Sequence, residues 1–344
     1  MFAREHWYVI AMADEVTGDP LGRRVLDDPI VIYRLADGTP VALADECPHR
    51  RYPLSLGRLV GDVLVCNYHG FSFDCTGRCV AVPGQDSIPG RADVRTYPLV
   101  ERGPWLFVWM GDPDAPDHTR LPDTPWLTDP VWTVLAGMQP LAARYELLVD
   151  NLLDLSHETY LHAGFIGTPE VAATPIESGF DEESGVVSVS RHMDGAECPP
   201  FYSRSTGLQS PIDRWQDIEY HPPGIYILHS RIAPAGVAPR DDGTDDPRAA
   251  HAKILYGITP STATSTYDFW LVARDFAVDD SEVDEFMWKM NDEVVRQDVD
   301  ALGVLEQRIA ADPDGPEVSV KIDRGALRAR RVLHRLVESE HVSS

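Results

Sequence analysis

Hydrophobic and polar residues come in short bursts through the first third of the chain, and the bursts read as strands. PIVIYRL and PVAL flank Asp37-Gly38, the turn chemistry of a hairpin. GFSFDCTGRCVAV repeats the arrangement around Cys75 to Gly77, and WLFVWMG, Trp105 to Gly111, reads as a buried strand. Pro113, Pro116, Pro122, Pro125 and Pro130 then crowd together. That density is too high for a regular element, so residues 112–130 read as a linker or surface crossing. Beyond it, strands (VVSVS, GIYILHS, AKILYGIT, TSTYDFWLVA) mix with helical patterns over 145–162, 281–310 and 323–340. Residues 236–250, GVAPRDDGTDDPRAA, read as an exposed loop. No internal repeat is visible. The pattern predicts two domains, 1–115 and 131–344, joined by a Pro-rich linker over 116–130.

Composition narrows the function classes. The 344 residues are 43% hydrophobic, enough for a sizeable core, and the formal net charge is -25. Such a charge argues against nucleic acid, where Lys and Arg must neutralise phosphates, and against an anionic membrane surface. The start, MFAREHWYVIAMADE, lacks a basic region followed by an apolar one, and no apolar run reaches the length of a membrane span. Five cysteines without a secretion signal point to a reducing cytoplasm.

Four of the metal-binding side chains are paired. Cys47-Pro48-His49 and Cys66-Asn67-Tyr68-His69 stand sixteen residues apart, each arm with one sulfur and one imidazole. Structural zinc sites pair cysteines within an arm. A Rieske [2Fe–2S] centre instead puts two thiolates on one iron and two neutral imidazoles on the other. Cys47 and Cys66 would hold the first iron, His49 and His69 the second. Gly57, Gly61 and Gly70 would let the loops turn, and Val82 to Gln85, VPGQ, would form a third loop over the cluster. Cys75, Cys79 and Cys198 remain as thiols outside the site.

A second set lies in DNLLDLSHETYLHAG. Asn151, Asp154 and His157 are spaced i, i+3, i+6 and would line one side of a helix. His162 would sit about 140° from His157 on a regular helix, so the helix must end or bulge for both rings to reach one metal. Two histidines and one carboxylate form the facial triad of non-haem Fe(II) oxygenases. In SEVDEFMWKMNDEVVRQDVDALGVLEQ, the apolar stripe Val283, Met287, Met290, Val294, Ala301, Leu305 has one gap, filled by Asp298. A buried aspartate needs a partner, and Asp300 would face solvent, so Asp298 is the expected third ligand. Asp154 could accept a hydrogen bond from His157 or from another imidazole nearby, and Asn151 could reach the open side of the metal.

Together the motifs resemble the oxygenase component of Rieske non-haem iron oxygenases over nearly the whole chain, and the subgroup of vanillate O-demethylase in particular. The closing IDRGALRARRVLHRLVESE contributes to the second likeness. The resemblance implies an α+β fold: an N-terminal all-β Rieske domain, then a catalytic domain of antiparallel sheet and helices with a helix-grip-like arrangement. It also implies Cys47, His49, Cys66 and His69 on the cluster, His157, His162 and Asp298 on the mononuclear iron, and Asp154 as a carboxylate bridging two imidazoles across a subunit interface in a head-to-tail homotrimer. One departure is Gln297, where relatives often have an acidic residue.

The implied reaction is O2-dependent O-demethylation of a methoxylated aromatic acid, such as vanillate to protocatechuate plus formaldehyde. Electrons would come from NAD(P)H through a separate flavin and iron–sulfur reductase, since no G-x-G-x-x-G follows a strand here. Arg204 and Tyr256 are the candidates for holding the acid. The alternatives are a Rieske monooxygenase acting on another small aromatic or alicyclic compound, and a Rieske electron carrier without a working second site.

Overall fold

Short strands with alternating burial build the first part of the computed structural model, which describes residues 1–240 and 245–343. They are β1 (Trp7–Met12), β2 (Leu21–Val25), β3 (Asp28–Arg34), β4 (Pro40–Ala44), β5 (Arg58–Val60), β6 (Val63–Val65), β7 (Ser72–Phe73), β8 (Cys79–Ala81), β9 (Leu99–Arg102) and β10 (Trp105–Trp109). Their sheets run β1-β10-β9, β2-β3-β4 and β5-β6-β7-β8. The hairpin expected at Asp37-Gly38 joins β3 to β4. β3 is buried on both faces: Ile30 and Ile32 enter one core with Tyr8, Val25 and Leu106, while Val31 and Tyr33 enter another with Leu54, Leu64 and Phe73. Cys47 and Cys66 belong to that second core. Hydrophobic burial around the two cysteines thus fixes where their loops start.

By internal contacts the chain divides into Met1–Leu121 with Thr259–Ala263, and Pro122–Ile258 with Thr264–Ser344. The division falls within the proline-dense stretch. That stretch is also more regular than expected, with single 3-10 turns at His118–Arg120 and Pro125–Leu127. Asp117 caps the first through Thr119 N, and Pro125 begins the second. Proline breaks a helix interior but its fixed φ suits a first turn.

The second unit contains β11 (Thr133–Leu141), α1 (Tyr145–Leu153), α2 (Glu158–Leu161), α3 (Pro169–Ala173), β12 (Glu177–Phe180), β13 (Val187–Ala196), α4 (Pro200–Thr206), β14 (Ile212–His221), β15 (Ile225–Pro234), β16 (Ala250–Thr262), β17 (Ser265–Arg274), α5 (Ser281–Ala311) and α6 (Arg324–Ser343). Seven strands form one antiparallel sheet in the order β11-β17-β16-β15-β14-β13-β12. Register places Tyr226 opposite Tyr256 and Leu228 opposite Ile254, so these four share a face. Long helix α5 packs on the sheet: Met287 shares a core with Ile232 and Val272, and Trp288 lies 6.0 Å from Trp270. This is the α+β arrangement the resemblance implied. Of the loop expected over 236–250, residues 241–244 lie outside the described residues. Among the described residues, no helix is long and apolar enough to cross a membrane.

Candidate metal centres

The two Cys/His arms fold into loops with the same hydrogen bonds. Cys47 N donates to Tyr52 O (2.9 Å) and Arg51 N to Cys47 O (2.8 Å); Cys66 N donates to Phe71 O (2.8 Å) and Gly70 N to Cys66 O (2.9 Å). Each loop closes through a left-handed residue, Gly70 at φ +77° and Arg51 at φ +58°. Only the first is a glycine, so the arms share a backbone path that their sequences do not share. Gly57 has φ -82°; it is needed for space, since a Cβ there would lie 2.6 Å from Val65 O and 2.7 Å from Leu54 O. The third loop does cover the site: a Cβ on Gly70 would meet Pro83 Cγ at 2.9 Å.

These loops bring the four candidate ligands together. The His49 and His69 rings are 4.5 Å apart, and Phe71 stacks on His49 at 4.9 Å. His49 Nδ1 is buried with no hydrogen-bond partner. Both sulfurs are buried, and burial, with Cys66 beside it, pushes the Cys47 thiol up to about 11. An orphaned buried ring nitrogen and two adjoining buried sulfurs fit an iron–sulfur cluster.

The second centre depends on a broken helix. α1 stops at Leu153 because Asp154 adopts φ -126°, ψ 90°. Asp154 then caps a 3-10 turn over Leu155–His157, its Oδ1 accepting from Ser156 N at 2.9 Å. The expectation that Asn151, Asp154 and His157 line one continuous helix is therefore corrected: competition from the Asp154 side chain for local N–H groups ends the helix. α2 adds one turn and ends at His162. Breaking on one side and ending on the other lets both rings face α5, 5.1 Å apart.

Each ring is held by its far nitrogen. His157 Nδ1 donates to the backbone carbonyl of Asp154 (2.6 Å), and His162 Nδ1 to Gln297 Oε1 (2.9 Å). Both Nε2 atoms then point at Asp298 Oδ1, at 3.5 and 3.2 Å. Asn151 Nδ2 donates to the same oxygen at 3.1 Å. Asp298 is 4% exposed, His162 1%, and Asp300 is exposed. The three donor atoms lie within 4.8 Å of one another, close to the roughly 3 Å separation of ligands bonded to a metal at about 2.1 Å. Burial alone would lower the His162 pKa; Asp298 and Gln297 reverse this and hold it above its ordinary value. A divalent metal held by the two Nε2 atoms and Asp298 Oδ1 would take the place of these contacts.

A cavity of about 50 Å³ adjoins this cluster, walled by Leu155, Ile166, Leu228, Ile254, Tyr226 and Tyr256 among others. Tyr256 lines this cavity. Arg204 does not: it is exposed on α4 and lies over the Phe286 ring at 4.1 Å. The arginine on the cavity is Arg214 of β14, fully buried, whose Nη2 donates to Glu158 Oε2 at 2.9 Å. Gln216 Nε2 donates to the other Glu158 oxygen at 3.0 Å. Asp268 is also buried nearby, with neither carboxyl oxygen hydrogen-bonded; burial, then the Asp298 charge, holds it well above the usual carboxylate range. Glu158, Arg214 and Asp268 were not picked out from the sequence. For Asp268 the available signal was one acidic residue in the apolar run of β17; Arg214 sits in a polar-looking strand and Glu158 on the short helix α2. On the other side of His157, Asn151 and Asp154 line an open cavity of about 790 Å³ with residues of α5 and α6.

A β-rich iron–sulfur unit followed by a sheet-and-helix unit with a two-histidine, one-carboxylate cluster is the make-up of a Rieske oxygenase. Comparison with known proteins agrees. The Rieske [2Fe-2S] domain family matches residues 6–98, and the Vanillate O-demethylase oxygenase C-terminal domain family matches 141–339. The vanillate O-demethylase oxygenase subunit of Pseudomonas sp. (strain HR199 / DSM 7063) is 35% identical, covering 99% of this chain and 96% of the relative. The dicamba O-demethylase oxygenase component of Stenotrophomonas maltophilia is 32% identical, covering 98% and 99%. The crystal structure of dicamba monooxygenase bound to 3,6 dichlorosalicylic acid superposes with a TM-score of 0.91 at 32% identity, covering 99% of each chain. The chain belongs to the Rieske non-haem iron oxygenases, as an oxygenase component related to vanillate O-demethylase. Its cofactors are a Rieske [2Fe–2S] cluster and a mononuclear iron.

The Glu158–Arg214 pair is buried on both sides, 4% and 2% exposed at the side chains. Arg214→Met should strand the Glu158 charge and destabilise the fold by about 3–5 kcal/mol. Adding Glu158→Gln should recover most of that loss in chemical denaturation. Equal stability of Arg214→Met and wild type would show that the pair is not buried as described.

Proposed function

We propose that the chain is the terminal oxygenase of a system that O-demethylates a methoxylated aromatic acid, vanillate or a close analogue, releasing formaldehyde. The observation that carries this reading is the convergence of His157, His162 and Asp298 beside an apolar cavity, in a chain collinear with two O-demethylase oxygenases. These three residues are the iron ligands in this reading, and Cys47, His49, Cys66 and His69 are the cluster ligands. When bound, the iron supplies the O2 chemistry at positions its three ligands leave open. Electrons come from NAD(P)H through a flavin and iron–sulfur reductase. We place the system in the cytoplasm, where the three thiols outside the cluster, Cys75, Cys79 and Cys198, stay reduced.

The chain's own residues bind, orient and exclude water. Leu155, Ile166, Leu228, Ile254 and Val294 make the apolar wall for the ring. Tyr226 and Tyr256 offer hydroxyls, and Arg214, whose charge Glu158 already pairs, offers its unpartnered Nε–H for the acid group. A cavity of about 150 Å³ is known to hold benzene, so the 50 Å³ space must widen as substrate enters. Asn151 holds Asp298 in position. Among the described residues, Asp154 accepts a side-chain hydrogen bond only at Oδ1. Its second oxygen is left for an imidazole of a neighbouring subunit's cluster, in a homotrimer that seats that cluster in the 790 Å³ cavity.

The direct test is a screen of methoxybenzoates with a surrogate reductase, reading formaldehyde. Vanillate or a near analogue should give stoichiometric formaldehyde. Hydroxylated products without formaldehyde would favour another monooxygenase reaction, and no turnover with any substrate would favour an electron carrier.

Asp298→Ala should lose the mononuclear iron and turnover while the Rieske spectrum persists. Asp300→Ala should change neither, and the reverse result would move the ligand to Asp300. Asp154→Asn should keep both iron centres and the assembly, yet slow the substrate- and O2-dependent reoxidation of a pre-reduced cluster by about 10–100-fold. Stopped-flow single turnover measures this, and a wild-type rate would reduce Asp154 to a local helix stop.

A further inference from the structure

Besides lining the open cavity beside His157, the closing motif builds an unusual surface. Arg324, Arg328, Arg331 and Arg335 are all exposed on α6. Their spacing of four, three and four places them within an arc of about 60°, along about 16 Å of helix. The buried face of the same helix is made by Ala326, Ala329, Val332 and Leu333.

The stripe does not serve the helix that carries it. Arg324 begins α6 and Arg328 is one turn on, near the end where the helix dipole favours acids. Like charges three and four residues apart repel. Neighbouring cations are neutralised: Arg330 pairs with Asp150 and Glu317, and His334 with Glu338 at 3.3 Å. Among the described residues the four stripe arginines have no carboxylate partner; Arg328 lies over the Phe180 ring at 5.4 Å. Arg331 and Arg335 line an open groove with Arg330 and His334. All of this occurs on a chain of net charge -25. Four uncompensated cations on one exposed face are therefore a feature to be explained by something outside the chain.

We infer that this stripe is the docking surface for an acidic iron–sulfur electron-transfer protein, the donor that reduces the oxygenase. The inference rests on the reading above, in which electrons arrive from a separate protein. The rest of the acidic chain would repel an acidic donor, so a local cationic stripe is what lets such a partner approach and orients it. Nucleic acid, the other polyanion, is disfavoured by the net charge. Exposed charge with little apolar surface suits a brief, electrostatically steered encounter.

The test uses the full-length, cofactor-loaded oxygenase and, as probe, a reduced acidic plant-type [2Fe–2S] ferredoxin. Rieske reduction is followed by stopped flow at low and high salt for wild type, Arg331→Gln/Arg335→Gln and Arg331→Glu/Arg335→Glu. At low salt the second-order rate should fall about ten-fold or more from wild type to the Glu variant, with the Gln variant between. The differences should vanish at high salt, and dithionite should reduce all three equally. Equal rates with the ferredoxin, or a wild-type rate without salt dependence, would overturn the inference. So would dissociation of the assembly in the Glu variant on gel filtration, which would make the stripe an interface between copies. Failure of the oxygenase reading would show differently, as a reduced wild-type cluster that no methoxybenzoate and O2 reoxidise.

Discussion

The second metal centre depends on one constraint: both histidines are gripped at Nδ1. The carbonyl of Asp154 holds His157 and Gln297 holds His162. With those nitrogens occupied, only the two Nε2 atoms are free, and they meet Asp298. Asp298, 4% exposed, meets two imidazoles and Asn151, with no Lys or Arg side chain against it among the described residues, so a cation is what its buried carboxylate calls for. The surrounding structure keeps that demand in place. The break at Asp154 turns His157 inward, α5 presents Asp298 and Gln297 from consecutive positions, and Asn151 reaches across from α1 to fix the carboxylate. Hydrogen bonds to each ligand fix its orientation toward the metal.

The first unit solves a similar problem with backbone alone. Two loops of matching hydrogen bonds present Cys and His from each arm, and the apolar core that holds β3 and β6 also buries both sulfurs. Arg51 shows how strongly that path is imposed, since a side-chain-bearing residue accepts the left-handed conformation that Gly70 adopts without cost. In both units the candidate ligands are held in place by packing and hydrogen bonds from the surrounding chain.

Much of this was legible in the sequence because it follows period and spacing. The paired arms announced an iron–sulfur site, and Asp298 showed as a polar residue in an apolar stripe of α5. The buried face there is in fact Met287, Asn291, Val294, Asp298, Leu302 and Glu306, with Leu305 turned outward. That shift occurs because Asn291 and Glu306 are satisfied or cavity-facing polar groups, which a hydrophobic count passes over. The helix assumed through Asp154 failed for a local reason: an aspartate can cap as well as extend. Arg204 was chosen for its charge, but its short helix directs it onto Phe286. Arg214 was overlooked because RWQDIEY reads as polar, although β14 alternates and turns Arg214 and Gln216 inward to Glu158. Gln297 stood out as a departure from the family pattern; the structure shows it to be the partner of His162.

The central claim is that a buried carboxylate and two pre-oriented imidazoles hold an iron distinct from the cluster. Mössbauer spectroscopy of the dithionite-reduced protein, prepared with isotopically enriched iron, tests it most directly. The account expects cluster iron and a high-spin ferrous site with nitrogen and oxygen ligands in a ratio of about two to one. Cluster iron alone, or a second site with sulfur ligands, would contradict it.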